Sequence, residues 1–301
     1  MRALVTGGAG FIGSHLADAL VARGDAVHVV DSLATGSREN VPTAATFHER
    51  DIREPLDDVF GEAEPEVVFH LAAQADVGTS VERPELDAEV NVLGTLRVLE
   101  AARAAGAQVV FSSTGGAIYG ECPRPAVETD PREPLSPYGT SKLAGEEYLA
   151  TWNRLHGTPH VSLRFANVYG PRQLAKLEGG VVAIFLDRLR DGAPVTIFGD
   201  GEQTRDFVFV ADVVAALLAA VGHGGGVFNV GTGVGTSVNR LYEACRESAG
   251  RGGEPEHGRP RPGDLRDSAL DAGAAERALG WRALESLESG LRRTWDWVAA
   301  G

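Results

Sequence analysis

The stretch SPYGTSK at residues 136–142 contains the side chains with the clearest capacity for chemistry. Proline is tolerated in the first turn of a helix, so a helix is predicted to begin near Pro137. Tyr138 and Lys142 are then four residues apart and project from one helix face. A nearby ammonium favours the phenolate form of a tyrosine, whose pKa is otherwise about 10. The pair could therefore accept a proton, although the same spacing also arises by chance as an exposed Tyr–Lys pair.

A glycine-rich loop near the N-terminus predicts a dinucleotide site. An apolar strand at residues 2–6 leads into GGAGFIG at residues 7–13, and a helix and a second strand ending at Asp31 follow. Glycines let the backbone approach a pyrophosphate, and the helix N-terminus supplies N–H groups and a positive dipole. Asp31 would accept hydrogen bonds from the adenosine ribose and repel a 2′-phosphate, so NAD is favoured over NADP. The alternative is a glycine-rich turn in another kind of α/β protein.

Continued alternation of strands and helices predicts a doubly wound parallel sheet of the Rossmann type. Residues 66–71 are almost continuously apolar, as expected of a parallel strand buried on both faces, and residues 108–111 form the next strand. Right-handed crossovers place the carboxyl ends of these strands along one edge, where open α/β sheets bind ligands. The residues expected at this edge include Asp51 and Ile52 beside the adenine, and the small residues Ala72 and Ala73.

Composition excludes several classes of function. The 301 residues carry a net charge of −14, which disfavours nucleic acids and anionic membranes as partners because both would repel the chain. No apolar run approaches the ~20 residues that span a bilayer, and residues 1–30 do not resemble a signal peptide. Two cysteines are too few for a disulfide scaffold or a structural zinc site. We therefore expect a cytoplasmic protein that holds no metal.

Nine motifs, in order along the whole chain, resemble those of the extended short-chain dehydrogenase/reductase family. Within that family the chain is most similar to nucleotide-sugar epimerases of the UDP-glucose 4-epimerase type. The motifs are TGGAGFIG at 6–13, Asp31, Asp51-Ile52, HLAA at 70–73, Asn91, SST at 112–114, Tyr138 with Lys142, RFANVYGP at 164–171 and RPGD at 261–264.

The resemblance implies a role for each matching residue. Thr114 corresponds to the residue that hydrogen-bonds the reacting sugar hydroxyl, Tyr138 to the base that takes its proton, and Lys142 to the residue that holds the nicotinamide ribose. These three are the predicted catalytic residues. The residues expected to bind a tightly held NAD are Gly7, Gly10, Phe11, Ile12, Gly13, Asp31, Asp51, Ile52, Leu71, Ala72, Ala73, Asn91, Ser112, Tyr138, Lys142 and Phe165.

From about residue 170 the pattern changes to short strands and helices joined by long loops. We expect residues 1–168 to form the NAD-binding domain and residues 169–301 mainly a smaller α/β lobe that binds the nucleotide sugar, with the chain able to cross back. Arg205 and Arg261 match the arginines that bind the two phosphates, and guanidinium groups suit phosphate oxygens. The predicted substrate-binding residues are Val77, Thr114, Asn167, Val181, Val182, Thr196, Phe198, Arg205, Arg261, Asp264 and Ser268. For Phe198 the alternative is an ordinary place in the core.

The reaction implied is inversion at C4 of a UDP-hexose through a transient 4-keto sugar. Removing a hydride from a secondary alcohol requires loss of its proton, which explains the need for a base beside NAD. Relatives that act as 4,6-dehydratases carry an acidic pair soon after the residue that matches Thr114, and uronic acid decarboxylases use a glutamate in the same neighbourhood. Gly115, Gly116 and Ala117 stand there in this chain, which disfavours both reactions. A simple ketoreductase, which would release NAD at each turnover, and a non-catalytic NAD-binding sensor remain further alternatives.

The sugar and the assembly are less constrained. Ser268 falls where the family has a side chain that borders the sugar, and a small residue there predicts tolerance of an N-acetyl group or a uronic acid. The family also implies a homodimer, built through the helices around residues 91–105 and 138–155.

Overall fold

A computed structural model describes residues 1–122, 124–175, 180–260 and 265–300 of the chain. Its strands are β1 (Arg2–Thr6), β2 (Ala26–Asp31), β3 (Thr46–Glu49), β4 (Val67–His70), β5 (Gln108–Thr114), β6 (Val161–Phe165), β7 (Asn167–Tyr169), β8 (Thr196–Phe198), β9 (Thr204–Phe209), β10 (Gly226–Val230), β11 (Gly235–Ser237) and β12 (Glu256–Gly258). Seven of them form one sheet in the order β10-β6-β5-β4-β1-β2-β3, and all its neighbouring pairs are parallel. The predicted doubly wound sheet is confirmed.

Helices cover both faces of this sheet. They are α1 (Phe11–Ala22), α2 (Asp57–Ala63), α3 (Val77–Glu82), α4 (Pro84–Ala88), α5 (Thr95–Ala105), α6 (Gly115–Ile118), α7 (Pro137–His156), α8 (Val181–Arg190), α9 (Val210–Ala219), α10 (Val238–Ala249), α11 (Gly273–Leu279) and α12 (Leu287–Ala300), with a π-helical stretch at Glu89–Gly94. Within the described ranges, no helix combines the length and apolarity needed to cross a membrane.

The alternation of side chains along β1 separates two apolar cores. Ala3 and Val5 belong to the core that also contains α1 and α9, whereas Leu4 belongs to the core that also contains α2 and α5. Successive residues of a strand point to opposite faces, so an apolar strand of this kind is buried by helices on both sides. The large sheet is therefore the central layer of a three-layer α/β/α arrangement.

A second group of elements surrounds a separate core. This group contains the three-stranded sheet β11-β9-β7, the two-stranded sheet β12-β8 and the helices α8, α10 and α12. The core residues from these helices include Phe185, Leu241 and Leu291. However, β10 lies beside β6 at the edge of the large sheet, so the chain returns to the first group of elements after α9. The boundary placed at residue 168 stays a prediction.

Candidate active site

A cleft of about 1210 Å³ runs along the carboxyl edge of the large sheet. One wall comes from residues that follow β1, β2, β4, β5 and β6, and the opposite wall comes from α8, β8 and β9. The edge where ligands bind in open α/β sheets thus faces the second group of elements. This arrangement brings the two halves of the predicted site together in one cleft.

Close packing of the glycine loop leaves room at the start of α1. A side chain at Gly13 would place its Cβ 2.2 Å from the carbonyl oxygen of Gly7, and one at Gly7 (φ 71°) would place it 2.7 Å from the nitrogen of Ala72. Gly10 lines the cleft and has no side chain to cap α1, so the first-turn N–H groups of the helix lie at the cleft wall. Such a helix N-terminus suits a pyrophosphate.

Asp31 ends β2 at the same wall. Its carboxylate accepts hydrogen bonds from the backbone N–H groups of Ala9 (2.9 Å) and Leu33 (2.8 Å). Burial raises the pKa of Asp31, while these two hydrogen bonds act in the opposite direction. The remaining lone pairs of the carboxylate can accept hydrogen bonds from ribose hydroxyls. Together with the glycine loop, this donor and acceptor set fits NAD.

The other predicted residues of the cofactor half line the cleft, with one exception. Asn91 is buried and does not reach the cleft wall. Instead it accepts a hydrogen bond from the N–H of Gln74 (2.8 Å) and donates one to the carbonyl of Gln74 (2.9 Å), so it holds a segment that does line the cleft. The residues of the cofactor half that line the cleft are Gly7, Gly10, Phe11, Ile12, Gly13, Asp31, Asp51, Ile52, Leu71, Ala72, Ala73, Ser112, Tyr138, Lys142 and Phe165.

Helix α7 begins at Pro137, as predicted, and carries Tyr138 and Lys142 to the cleft. The Ser136 side chain caps the helix by accepting a hydrogen bond from the N–H of Gly139 (3.2 Å). The Lys142 side chain is buried, and its Nζ donates a hydrogen bond to the Ser112 carbonyl oxygen (3.0 Å). The pair is therefore not the exposed, chance pair of the alternative interpretation.

Burial also lowers the pKa of Lys142. Desolvation lowers its pKa to about 8, and the negative charges of Asp87 and Glu146 limit this fall. Asp87 is itself buried and accepts hydrogen bonds from the side chains of Gln74 and Asn91, both at 3.0 Å. At neutral pH the balance keeps a buried ammonium beside the cleft.

A buried polar network that joins α7 to β5 and β6 was not anticipated from the sequence. Glu146 accepts hydrogen bonds from the Ser113 hydroxyl (2.5 Å) and from the Arg164 guanidinium (2.6 Å). Glu146 and Arg164 form an ion pair in which each side chain is 2% exposed. Arg164 also donates to the Tyr119 hydroxyl at 2.6 Å. The sequence did contain one indication that Glu146 would lie near Lys142. Glu146 is four residues after Lys142, so both side chains lie on the same face of α7.

Five of the predicted substrate residues lie in the opposite wall of the cleft, which α8, β8 and β9 form. Arg205 lines it and donates hydrogen bonds to the carbonyl oxygens of Thr204 (2.7 Å) and Leu265 (2.8 Å). Phe198 also lines it and is 36% exposed, so the alternative of an ordinary core position is wrong. The predicted residues in this wall are Val181, Val182, Thr196, Phe198 and Arg205, whereas Val77 and Asn167 line the wall that follows β4 and β6.

Four predicted site residues are either absent from the cleft wall or lie outside the described residues. Thr114 ends β5 directly after Ser112 and Ser113, which line the cleft, but is not itself in the wall. Ser268 is buried and is also absent from the wall. Arg261 and Asp264 lie outside the described residues. The roles given to these four, like the roles given to the residues that line the cleft, stay predictions.

Several residues of the cleft wall carry polar groups that the sequence did not single out. They include Ser32, Thr35, Arg50, Arg53, Gln74, Asp76, Thr79, Arg83 and Gln203. Their positions follow a recognisable rule, because Arg50 comes directly after β3 and Gln74 soon after β4, at the carboxyl ends of parallel strands. Strand ends alone do not tell which neighbouring side chains turn towards the cleft.

Comparison with known proteins agrees with this architecture. A UDP-glucose 4-epimerase from Thermotoga maritima, solved with UDP-glucose, has a TM-score of 0.96 and 48% identity and covers 99% of this chain and 98% of its own. That of Thermus thermophilus, in complex with NAD, has a TM-score of 0.93 and 48% identity over 99% of each chain. The UDP-glucose 4-epimerase of Mycolicibacterium smegmatis is 48% identical over 304 residues, covering 98% of this chain and 97% of the relative.

A family-level match covers most of the site. Residues 3–231 match the NAD dependent epimerase/dehydratase family, a range that contains the glycine loop, Asp31, Tyr138, Lys142 and Arg205. This chain belongs to the NAD dependent epimerase/dehydratase family.

Proposed function

We propose that this protein is an NAD-dependent epimerase that inverts C4 of a UDP-hexose, interconverting UDP-glucose and UDP-galactose. The observation that carries the proposal is one continuous cleft lined by the glycine loop, Asp31, Tyr138, Lys142 and Arg205. Residues suited to bind a dinucleotide, to accept a proton and to hold a phosphate therefore line one cleft. The two solved epimerases at 48% identity, one with UDP-glucose and one with NAD, support the same function.

Tyr138 is the proton acceptor in this proposal. Its hydroxyl group would take the proton of the sugar 4-OH as C4 is oxidised and return it when C4 is reduced. The buried ammonium of Lys142 favours the phenolate form of Tyr138 by charge attraction. Thr114 would hydrogen-bond the same sugar hydroxyl and orient it towards Tyr138.

The glycine loop and Asp31 would hold NAD. Bound NAD supplies the acceptor and donor of the C4 hydride. The N–H groups at the start of α1 would bind its pyrophosphate, and Asp31 would accept hydrogen bonds from its adenosine ribose. Lys142 would bind the second ribose and so place its ammonium between the cofactor and Tyr138.

The far half of the cleft would bind the nucleotide part of the substrate. Arg205 provides a permanently charged guanidinium for the diphosphate, and the exposed Asn167 lines the same cleft. Thr196 and Phe198 belong to β8, and the exposed ring of Phe198 offers a face for the base. A local cation thus lets a chain of net charge −14 bind a dianion.

A 4,6-dehydratase is a less suitable assignment. That reaction must move a second proton and eliminate water, and the three residues after Thr114 carry no carboxylate to do so. Moreover, a Cβ at Gly115 would approach Leu270 to 2.4 Å, so an acid could not be placed there without moving Leu270. Oxidation and return of one hydride needs no such group.

The decisive experiment incubates the purified protein with UDP-glucose or UDP-galactose and analyses the products by chromatography and mass spectrometry. We expect interconversion with unchanged mass and no net consumption of NAD. Loss of the mass of water would indicate a dehydratase, and stoichiometric consumption of cofactor a ketoreductase. Failure to convert UDP-glucose, UDP-N-acetylglucosamine and UDP-glucuronic acid alike would contradict the proposal.

The breadth of sugar use is a finer part of the proposal. Ser268 is absent from the cleft wall, but the resemblance to the family assigns it to the position that borders the sugar. Because this residue is small, we expect UDP-N-acetylglucosamine or a UDP-uronic acid to be accepted as well. The variant Ser268→Tyr should then narrow the range of sugars, measured as the ratio of kcat/KM for UDP-N-acetylglucosamine and UDP-glucose. An unchanged ratio would show that Ser268 does not border the sugar.

A homodimer is the proposed assembly. Helices α5 and α7 pack side by side, and large apolar side chains remain exposed on α7 and before α5: Leu93 at 48%, Tyr148 at 37% and Leu155 at 69%. Tyr148 and Leu155 are seven residues apart and share one helix face. Light scattering after gel filtration should give twice the mass of the chain, and Leu155→Glu should shift it towards the monomer. A monomeric wild-type protein would contradict this assembly.

The cytoplasm is the proposed location. Both Cys122 and Cys245 are free, which is typical of a reducing compartment. Fractionation of cells that express the protein would test this, and recovery outside the cytoplasm would contradict it.

A further inference from the structure

Away from the cleft, the structure brings two histidines and a glutamate together at the edge of the large sheet. His28 belongs to β2, His48 to β3 and Glu62 to α2, and one ligand atom from each lies within 4.8 Å of the other two. None of the three has a role in the proposed reaction. We propose that they form a binding site for a divalent transition-metal ion of the Zn²⁺ type.

The register of the two edge strands explains why the imidazoles meet. β2 and β3 are parallel neighbours in which His28 is opposite Thr46 and Val30 is opposite His48. Residues two apart on a strand share a face, so both histidines point to the same side of the sheet. That side is covered by α2, whose Val59, Phe60 and Ala63 join the core around Val30. Glu62 lies on the exposed part of this helix, at the rim of that contact.

The two rings are already arranged around a shared position. Nδ1 of His28 and Nε2 of His48 are 2.9 Å apart and share one hydrogen bond, with the ring planes inclined by 14°. A metal ion about 2.0–2.1 Å from each nitrogen would replace the shared proton. Tetrahedral ligation would separate the two nitrogens to about 3.3 Å, which small rotations of the rings can provide.

The donor set selects the class of ion. Two imidazole nitrogens and one carboxylate oxygen are ligands that suit Zn²⁺ and neighbouring transition metals, whereas Mg²⁺ and Ca²⁺ prefer oxygen ligands throughout. Three protein ligands leave a fourth position for water. Because the ligands come from β2, β3 and α2, a bound ion would cross-link the edge of the sheet to the helix that covers it. It would therefore stabilise this edge without entering the reaction.

Metal binding can be measured directly on the full chain, freed of any histidine tag and treated with EDTA. Titration calorimetry with ZnCl₂ should give one ion per chain, and Zn²⁺ should raise the melting temperature because it binds the folded state. Removal of a residue that only hydrogen-bonds to a metal ligand typically weakens metal binding by about 10–100-fold. We therefore expect His28→Ala and His48→Ala each to reduce affinity at least about tenfold, and Glu62→Gln to reduce it as well.

A matched control uses a histidine outside the cluster. His257 is exposed on β12, and His257→Ala should bind Zn²⁺ as the wild type does. Circular dichroism checks that each variant is folded. If a histidine variant does not fold, the zinc affinity of Glu62→Gln still tests the proposal. Zinc affinity that is undetectable in the wild type, or that is unchanged in the folded cluster variants, would overturn the proposal.

Discussion

The ammonium of Lys142 donates a hydrogen bond of 3.0 Å to the main-chain oxygen of Ser112, and so joins α7 to the end of β5. The same ammonium lies over the ring of Phe111, 4.9 Å from its centroid. One buried charge thus fixes the helix that carries Tyr138 against the strand that leads to Thr114. The proposed proton acceptor and its partner hydroxyl are positioned by this contact.

The pH dependence of turnover should report the charge of Lys142. Its pKa is lowered from the ordinary 10.5 to about 8, mainly by desolvation, so the ammonium is present below pH 8 and is lost as the pH rises through that value. We expect kcat for UDP-galactose to fall about tenfold between pH 7 and pH 9, as for loss of one essential proton. Lys142→Arg keeps its charge and should abolish this decline, whatever its absolute rate. A wild-type profile that is flat from pH 7 to pH 10 would contradict the assignment.

Removal of the Tyr138 hydroxyl should stop the chemistry and leave cofactor binding largely intact. Phenylalanine fills the same space on the face of α7 but cannot accept a proton. Because a positioned acid or base contributes roughly 10²–10⁴-fold, Tyr138→Phe should reduce kcat by about that factor. Epimerisation is followed with UDP-glucose, and NAD affinity is measured separately by titration. A variant that retains more than a tenth of the wild-type rate would show that another group takes the proton.

Close packing of the glycine loop should make NAD binding sensitive to one added methyl group. A Cβ at Gly13 would lie 2.2 Å from the Gly7 carbonyl oxygen, so the loop must move. Overpacking costs about 1–3 kcal/mol, and Gly13→Ala should weaken NAD binding by about tenfold. Gly61→Ala in α2 is the control, because nothing lies within 4 Å of its added Cβ, and its NAD affinity should be unchanged. Equal affinities of the two variants would mean that the loop does not bind NAD.

The buried ion pair of Glu146 and Arg164 should be important for stability. Removing one partner leaves an uncompensated buried charge, so Arg164→Met should reduce the free energy of unfolding in urea by about 3–5 kcal/mol. The double variant Glu146→Gln, Arg164→Met removes both charges and should recover part of that loss. Arg132→Met breaks an exposed ion pair with Glu147 and should change the free energy of unfolding by less than about 1 kcal/mol. Similar losses in Arg164→Met and Arg132→Met would contradict this interpretation.

Local spacing and general rules of strand order were enough to predict several features of this protein. The glycine loop between an apolar strand and a helix predicted the dinucleotide half, and Pro137 predicted the first residue of α7. The four-residue spacing of Tyr138 and Lys142 predicted that both would share a face. Parallel strands end at one edge, which is why the order of strands and helices along the chain is enough to assign Asp31 and Ser112 to the same cleft.

Contacts between residues far apart in the chain depend on the tertiary fold and could not be predicted from local patterns. Ser113, Glu146 and Arg164 are separated by 33 and 18 residues, and no local pattern pairs them. The return of β10 to the large sheet, the complete burial of Lys142 and the meeting of His28 with His48 likewise depend on packing and on strand register. Local periodicity constrains the face on which a side chain lies, but long-range packing decides what that face touches. The burial, charge and ligands of a site follow from those contacts.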